Sequence, residues 1–169
     1  MNKLNKRPPY PVYPEIDNGI IRLQEIQQED LDALMEISFY DGKAAENLEE
    51  ARVMDLKIQA DYQAGDTVHW GILDLQKQKM VGTCGYYRGF PNGIGELGCV
   101  LKTEFRGQGY MTQALKLAIQ FGLEQMQLSK IIAITDIQNI EARRLLNRLG
   151  FVESRIVGAD YIEYQYDQK

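Results

Sequence analysis

The chain has 169 residues, 44% hydrophobic and 25% charged, with 19 basic against 24 acidic side chains and a formal net charge of −5. That size fits one domain able to bury a core without a disulfide or metal staple, and the acidic balance argues against nucleic acid as a direct partner, because phosphate backbones attract basic surfaces. No apolar run approaches the ~20 residues that span a bilayer, the one histidine, His69, excludes a His-rich zinc site, and Cys84 and Cys99 read as buried thiols; the expectation is a cytoplasmic protein with no membrane contact and no metal.

Residues 1–17 are polar and carry Pro8, Pro9, Pro11 and Pro14. Proline favours extended geometry, so this segment is expected to be a tail or a strap, with residues 18–169 forming the domain. Ile20 to Leu23 predicts a first strand. Glu29 and Asp30 ahead of Leu31, Leu34 and Ile37 predict a helix with acids at its positive end. Asp41-Gly42 punctuates, and Leu48, Ala51, Met54, Ile58 and Tyr62 predict a second helix that stops near Gly65-Asp66. Three strand-like runs follow: Val68 to Leu75, Met80 to Tyr87 and Gly95 to Leu101. Short turns join them, as in an antiparallel meander. The spacing then becomes helical: Met111, Ala114, Leu115, Ala118 and Phe121 predict a helix over about residues 110–126. Lys130 to Thr135 reads as a buried strand. Ile140 to Leu149 reads as a helix with Leu145, Leu146 and Leu149 inward and Gly150 at its C-terminal cap. Phe151 to Val157 and Tyr161 to Tyr166 close the chain as a strand pair. This order predicts a mixed α/β domain around one sheet, containing a right-handed strand–helix–strand crossover.

The segment Cys99-Val100-Leu101, then Arg106-Gly107-Gln108-Gly109-Tyr110-Met111, runs from a strand end through two alternating glycines into a helix start. Helix N-termini present unpaired N–H donors and partial positive charge, and glycines let backbone approach an anion closely. Together they make a phosphate cradle. The P-loop pattern is absent, and Thr112 occupies the third-glycine place of the dinucleotide fingerprint.

Arg106-Gly107-Gln108-Gly109-Tyr110-Met111 resembles the acyl-CoA turn of the GNAT superfamily, Arg/Gln-x-x-Gly-x-Gly/Ala, with Met111 departing at the last position. Asn139, Ala142 and Leu149-Gly150-Phe151 resemble the family's downstream signature. Val81-Gly82-Thr83 and Glu96-Leu97-Gly98-Cys99-Val100-Leu101 resemble two strands of its ribosomal-protein N-acetyltransferase branch. The likeness covers about residues 18–166. It implies a GNAT-like fold, with a mostly antiparallel sheet of about seven strands flanked by about four helices. It also implies acetyl-CoA as co-substrate and an amine as acceptor, either a protein N-terminus or a small amine.

By this resemblance, the amides of Gly107, Gln108, Gly109, Tyr110 and Met111, with Arg106 adding charge, hold the pyrophosphate of CoA. The backbone of Cys99, Val100 and Leu101 holds the pantetheine arm, the Val100 amide polarising the thioester carbonyl. Asn139 hydrogen-bonds the arm as well, whereas its own local pattern reads as a helix N-cap. Direct acetyl transfer needs a base, and Glu96 is the candidate; its plain alternative is a solvated or salt-bridged carboxylate. The family's proton-donating tyrosine on the last helix is replaced by Leu146, so the acid is unassigned; Tyr86 and Tyr87 lie on a neighbouring strand, and alternation turns one of them to the cleft. His69 and Trp70 read as structural. Glu46, Glu49, Glu50, Asp55 and Asp61 suit a cationic substrate or simply form a solvated helix face. A non-catalytic acyl-CoA-binding or regulatory module is the competing reading, and a homodimer is compatible with the pattern.

Overall fold

The computed structural model describes residues 6–168. The elements in chain order are β1 (Ile16–Asp17), β2 (Ile21–Gln24), α1 (Leu31–Leu34), β3 (Phe39–Tyr40), β4 (Lys43–Ala44), α2 (Leu48–Gln63), β5 (Val68–Asp74), β6 (Lys79–Tyr87), β7 (Ile94–Leu101), α3 (Tyr110–Glu124), β8 (Lys130–Asp136), α4 (Ile140–Arg148), β9 (Phe151–Val157) and β10 (Tyr161–Tyr166). Eight strands form one sheet in the order β1-β2-β5-β6-β7-β8-β10-β9, while β3 and β4 make a separate short hairpin. Every neighbouring pair in the large sheet is antiparallel except β7 and β8. That parallel pair is the expected crossover, with α3 as its connection.

Residue alternation gives the sheet two different faces. Val68, Trp70, Cys84, Tyr86, Leu97 and Leu101 are buried in the main core with Ala114, Ala118 and Phe121 of α3 and Leu145 and Leu146 of α4. Trp70 meets Phe121 edge-on at 5.2 Å, and the Tyr86 hydroxyl donates to the Ala118 carbonyl at 2.7 Å. Gly122 makes that bond reachable, since a Cβ there would stand 2.2 Å from the Tyr86 oxygen. The other face carries α1 and α2 over a smaller cluster of Leu34, Ile37 and Met80.

The first predicted helix is shorter than its periodicity suggests. One α-turn is flanked by 3-10 turns at Gln28–Asp30 and Met35–Ile37. Local side chains compete for its ends: the Gln27 N–H donates to the Asp30 carboxylate at 2.8 Å, and the Ser38 hydroxyl donates to the Leu34 carbonyl at 3.0 Å. By contrast α2 starts cleanly, with the Asn47 side chain accepting from the Glu50 N–H at 2.9 Å. Residues 6–15 lie against the body. The Tyr10 N–H donates to the Tyr62 hydroxyl at 2.9 Å, the Tyr13 hydroxyl to the His69 carbonyl at 2.6 Å, and the Trp70 indole N–H to the Pro14 carbonyl at 2.9 Å. Among the described residues no helix is long and apolar enough to cross a membrane.

Candidate active site

The parallel pairing of β7 with β8 covers Ile94–Lys130, Gly95–Ile131 and Glu96–Ile132. Both strands continue, β7 to Leu101 and β8 to Asp136, without pairing further. The sheet is therefore split beyond Glu96. On its other edge β7 stays paired to β6 as far as Gly82–Leu101. The Lys102 N–H continues that ladder by donating to the Val81 carbonyl at 2.9 Å. In an antiparallel ladder, bonded pairs alternate. Counting back from Lys102–Val81, Val100 is bonded to Thr83, so the Val100 N–H and C=O point to β6. A Cβ on Gly82 would lie 2.4 Å from the Val100 carbonyl oxygen, in keeping with this. The peptide groups that face the split belong to Cys99 and Leu101. The expectation that the Val100 amide polarises a thioester in the split is corrected: alternation directs that donor to β6, and among the described residues Cys99 and Leu101 supply the unpaired ones.

Beyond Leu101 a short 3-10 turn, Thr103–Phe105, leads into Arg106 to Gly109, all exposed. Gly107 and Gly109 have φ of 72° and 84°, and no atom lies within 4 Å of a Cβ added to either. Gly109 is the N-cap of α3. Among the described residues, no main-chain hydrogen bond outside helices and strands uses the N–H of residues 107–112; the first to reach back is Gln113, to the Gly109 carbonyl at 3.3 Å. The loop is thus an open concavity with unused donors at a helix start, where an anionic group is favoured. These residues fit a diphosphate on geometry alone.

The loop is anchored by Asp74, a residue the sequence reading missed, through the hydroxyl of Tyr110. Tyr110, the first residue of α3, is buried and its hydroxyl donates to the Asp74 carboxylate. Asp74 also accepts from the N–H groups of Gln76 and Lys77, at 2.9 and 2.8 Å. The backbone bond from Lys77 and the Tyr110 hydroxyl pull the Asp74 pKa below the ordinary carboxylate value, while the Asp74 bond raises that of Tyr110. The Lys77 ammonium donates to the Tyr110 hydroxyl at 3.3 Å and sits 5.7 Å from the Phe105 ring centre. The β5–β6 turn therefore fixes the start of α3. In the sequence Asp74 is simply an acid before a turn, and nothing there ties it to a helix 36 residues later.

Beside β7, on the face that carries α1 and α2, lies a cavity of about 720 Å³ whose walls are α1, the β3–β4 hairpin, α2, parts of β5 and β6, and Gly98, Cys99 and Val100 of β7. Among the described residues, Asp41, Asp55, Asp61 and Asp66 line it against one cation, Arg88. Of the five acids expected to suit a cation, Asp55 and Asp61 face this space; Glu50 bonds the Glu46 N–H at 2.8 Å and Glu49 pairs with Arg52 at 3.7 Å. Burial, its largest influence, raises the Asp55 pKa. Tyr87 faces the cavity and Tyr86 the core. The Tyr87 ring lies over Gly98, whose added Cβ would meet it at 3.1 Å, and its hydroxyl is 2.7 Å from His69 Nδ1.

Glu96 sits at the last paired position of the split, its side chain 18% exposed and ion-paired with Arg88. Burial raises its pKa; Arg88 opposes this and Glu163 adds to it. Asn139 is the N-cap of α4, its Oδ1 accepting from the Ala142 N–H at 3.1 Å, and its side chain is exposed. Leu146, at the place of the family's tyrosine, is buried in the core.

A family model described as an acetyltransferase (GNAT) domain matches residues 21–152, and the chain belongs to this family. It is an acyl-CoA-dependent N-acetyltransferase by that membership, and the family uses acetyl-CoA. An uncharacterized N-acetyltransferase of Bacillus subtilis, YoaA, is 23% identical over 154 residues, spanning 86% of this chain and 87% of that protein. The spermidine N(1)-acetyltransferase of Escherichia coli is 33% identical over 72 residues, 42% of this chain and 39% of that one. Among solved structures, the ribosomal L7/L12 alpha-N-protein acetyltransferase RimL in complex with coenzyme A superposes with a TM-score of 0.79 at 16% identity, over 90% of this chain and 97% of the other, a likeness of fold.

Proposed function

We propose that the protein moves the acetyl group of acetyl-CoA to a cationic primary amine that enters through the acid-lined cavity. The observation that carries this reading is the parting of β7 from β8 after Glu96–Ile132, which leaves the peptide groups of Cys99 and Leu101 free beside that cavity. Acetyl-CoA supplies the activated acetyl group. The amides of Gly107, Gln108, Gly109, Tyr110 and Met111 hold its diphosphate, with Arg106 adding charge. Leu101 and Cys99 hold the pantetheine arm by backbone, Val100 walls the acceptor side, and the exposed Asn139 amide reaches the arm while capping α4. The Cys99 N–H, farther from the diphosphate loop than Leu101, donates to the thioester oxygen as negative charge develops there. Glu96, its carboxylate made more basic by burial, takes a proton from the amine through water.

The test is thiol release from acetyl-CoA with a panel of amines: polyamines, amino acids, aminoglycosides and peptides with free N-termini. Wild type turns over at least one cationic amine, and Glu96→Gln lowers kcat about 10²-fold with acetyl-CoA binding intact. The acid limb of wild-type kcat/KM lies above the ordinary glutamate pKa, since activity needs the ionised form and burial raises the pH at which it appears; the limb is absent from Glu96→Gln. CoA binding without turnover of any amine would instead identify a non-catalytic acyl-CoA-binding module.

A further inference from the structure

Acetylation of an ammonium releases one net proton, and the acceptor cavity needs a route by which protons enter and leave. The chain's one histidine stands on such a route. His69 lines the acceptor cavity and also a second cavity of about 590 Å³ between the N-terminal strap, the segment Glu25 to Gln28, and α2. Ile26, Asp55 and Ile58 share that wall. Tyr87 lines only the first cavity and meets His69 Nδ1 at 2.7 Å. The pair is held in place from several sides. The Tyr13 hydroxyl donates to the His69 carbonyl at 2.6 Å and accepts from its N–H at 3.1 Å. Gly85 and Gly98 leave room for the Tyr87 side chain, added Cβ atoms there standing 3.0 Å from its hydroxyl and 3.1 Å from its ring.

We propose that Tyr87 and His69 form a proton relay between the acceptor cavity and the second cavity, with Tyr87 exchanging the proton at the reacting groups and His69 positioned to pass it on. This rests on the acetyltransferase reading above. Burial keeps the imidazole neutral, its pKa pushed down to about 4, and keeps the Tyr87 phenol protonated. In the resting state Tyr87 donates to Nδ1 and the imidazole hydrogen is on Nε2. On the outward pass the ammonium N–H bond breaks as a new O–H forms on Tyr87, the former Tyr87 hydrogen moves to His69 Nδ1, and the Nε2 hydrogen leaves to the second cavity. On the return pass Nε2 takes a proton from that cavity, Nδ1 returns its hydrogen to Tyr87, and Tyr87 protonates the departing sulfur once the C–N bond has formed and the C–S bond has broken. The other amine proton leaves on the Glu96 side, so one net proton is released. The titratable groups around the pair are Tyr13 from the strap, Glu25 after β2, Tyr40 and Asp41 of the β3–β4 hairpin, Asp55, Asp61 and Tyr62 from α2, Asp66 before β5, Cys84 of β6, Arg88 after β6 and Cys99 of β7; all but Arg88 are acids, phenols or thiols, which suits a path for a proton.

A single histidine makes the test clean. Nitrogen NMR of ¹⁵N-histidine protein shows one imidazole; the relay requires Nδ1 bare and Nε2 protonated between pH 5 and 8, with the Nδ1 shift moving in Tyr87→Phe. Protonated Nδ1 in the resting protein overturns it. In turnover with the best amine of the panel, Tyr87→Phe lowers kcat about 10²-fold with the acetyl-CoA KM unchanged, and added imidazole restores rate to His69→Ala. Wild-type kcat in Tyr87→Phe, or a His69→Ala defect that imidazole leaves untouched, overturns the relay while the transferase reading stands. Absence of turnover with every amine overturns both.

Discussion

Gly109 and Gly122 are the same residue type with opposite reasons to be glycine. Gly109 adopts φ 84° at the start of α3, and space around its missing side chain is open. Alanine there pays about 1–2 kcal/mol for left-handed backbone and places a methyl in the concavity where a diphosphate would sit. Gly122 has ordinary helical backbone, but a Cβ would stand 2.2 Å from the Tyr86 hydroxyl inside the core. Gly109→Ala is therefore expected to raise the acetyl-CoA KM by about tenfold or more, with a fall in the unliganded Tm of only a few degrees. Gly122→Ala is expected to lose about 1–3 kcal/mol of stability by overpacking and to leave that KM unchanged. Thermal melts and steady-state kinetics on the pair separate the two. If the losses are exchanged, the loop is not the donor-binding cradle.

At the scale of elements, the tie from the β5–β6 turn to the first residue of α3 controls where the loop amides point. Asp74 accepts from two backbone N–H groups and from Tyr110. Its pKa is depressed in the folded protein, so the ionised form stabilises the fold. That contribution is present above the unfolded carboxylate pKa of about 3.9 and is lost as pH falls through the lower folded value. Asp74→Asn is expected to lower Tm at pH 7 by several degrees, as for the loss of hydrogen bonds to a charged group worth roughly 1.5–3 kcal/mol. The gap to wild type should close only below about pH 4. A gap that is flat from pH 7 to pH 3 would show that the fold does not favour the ionised form of Asp74. Elements of seven or more residues were legible because period-2 or helical spacing repeats within them. The two-residue strands β1, β3 and β4 carry too little pattern to read. The Gly-rich turn and the N-cap at Asn139 were local and therefore readable. The Tyr110–Asp74 bond and the orientation of the Val100 amide depend on pairing between distant segments, which spacing alone does not specify.

For the whole molecule, the split sheet is a weakness that a bound cofactor would remove. The peptide groups of Cys99 and Leu101 lie on an edge inside the sheet, and the donors of residues 107–112 have no acceptor among the described residues. In the proposed binding mode, a ligand with amides along its arm and a diphosphate at its end would answer both sets of groups at once and join β7, α3 and the start of α4 into one unit. By mass action, CoA at about 100 times its Kd adds about 2.7 kcal/mol, which for a chain of 169 residues corresponds to a Tm rise of roughly 5–10 °C. ATP and NAD share the diphosphate but lack the pantetheine amides, so each is expected to give a much smaller shift at equal concentration. Hydrogen exchange should show CoA protecting Cys99, Leu101 and residues 107–112 above all others. Equal stabilisation by ATP, or protection confined to the loop with none at Cys99 and Leu101, would mean that the split does not hold the arm. The same shift in Glu96→Gln and Tyr87→Phe as in wild type would place both side chains in the chemistry and outside donor binding, because neither faces the loop that grips the diphosphate.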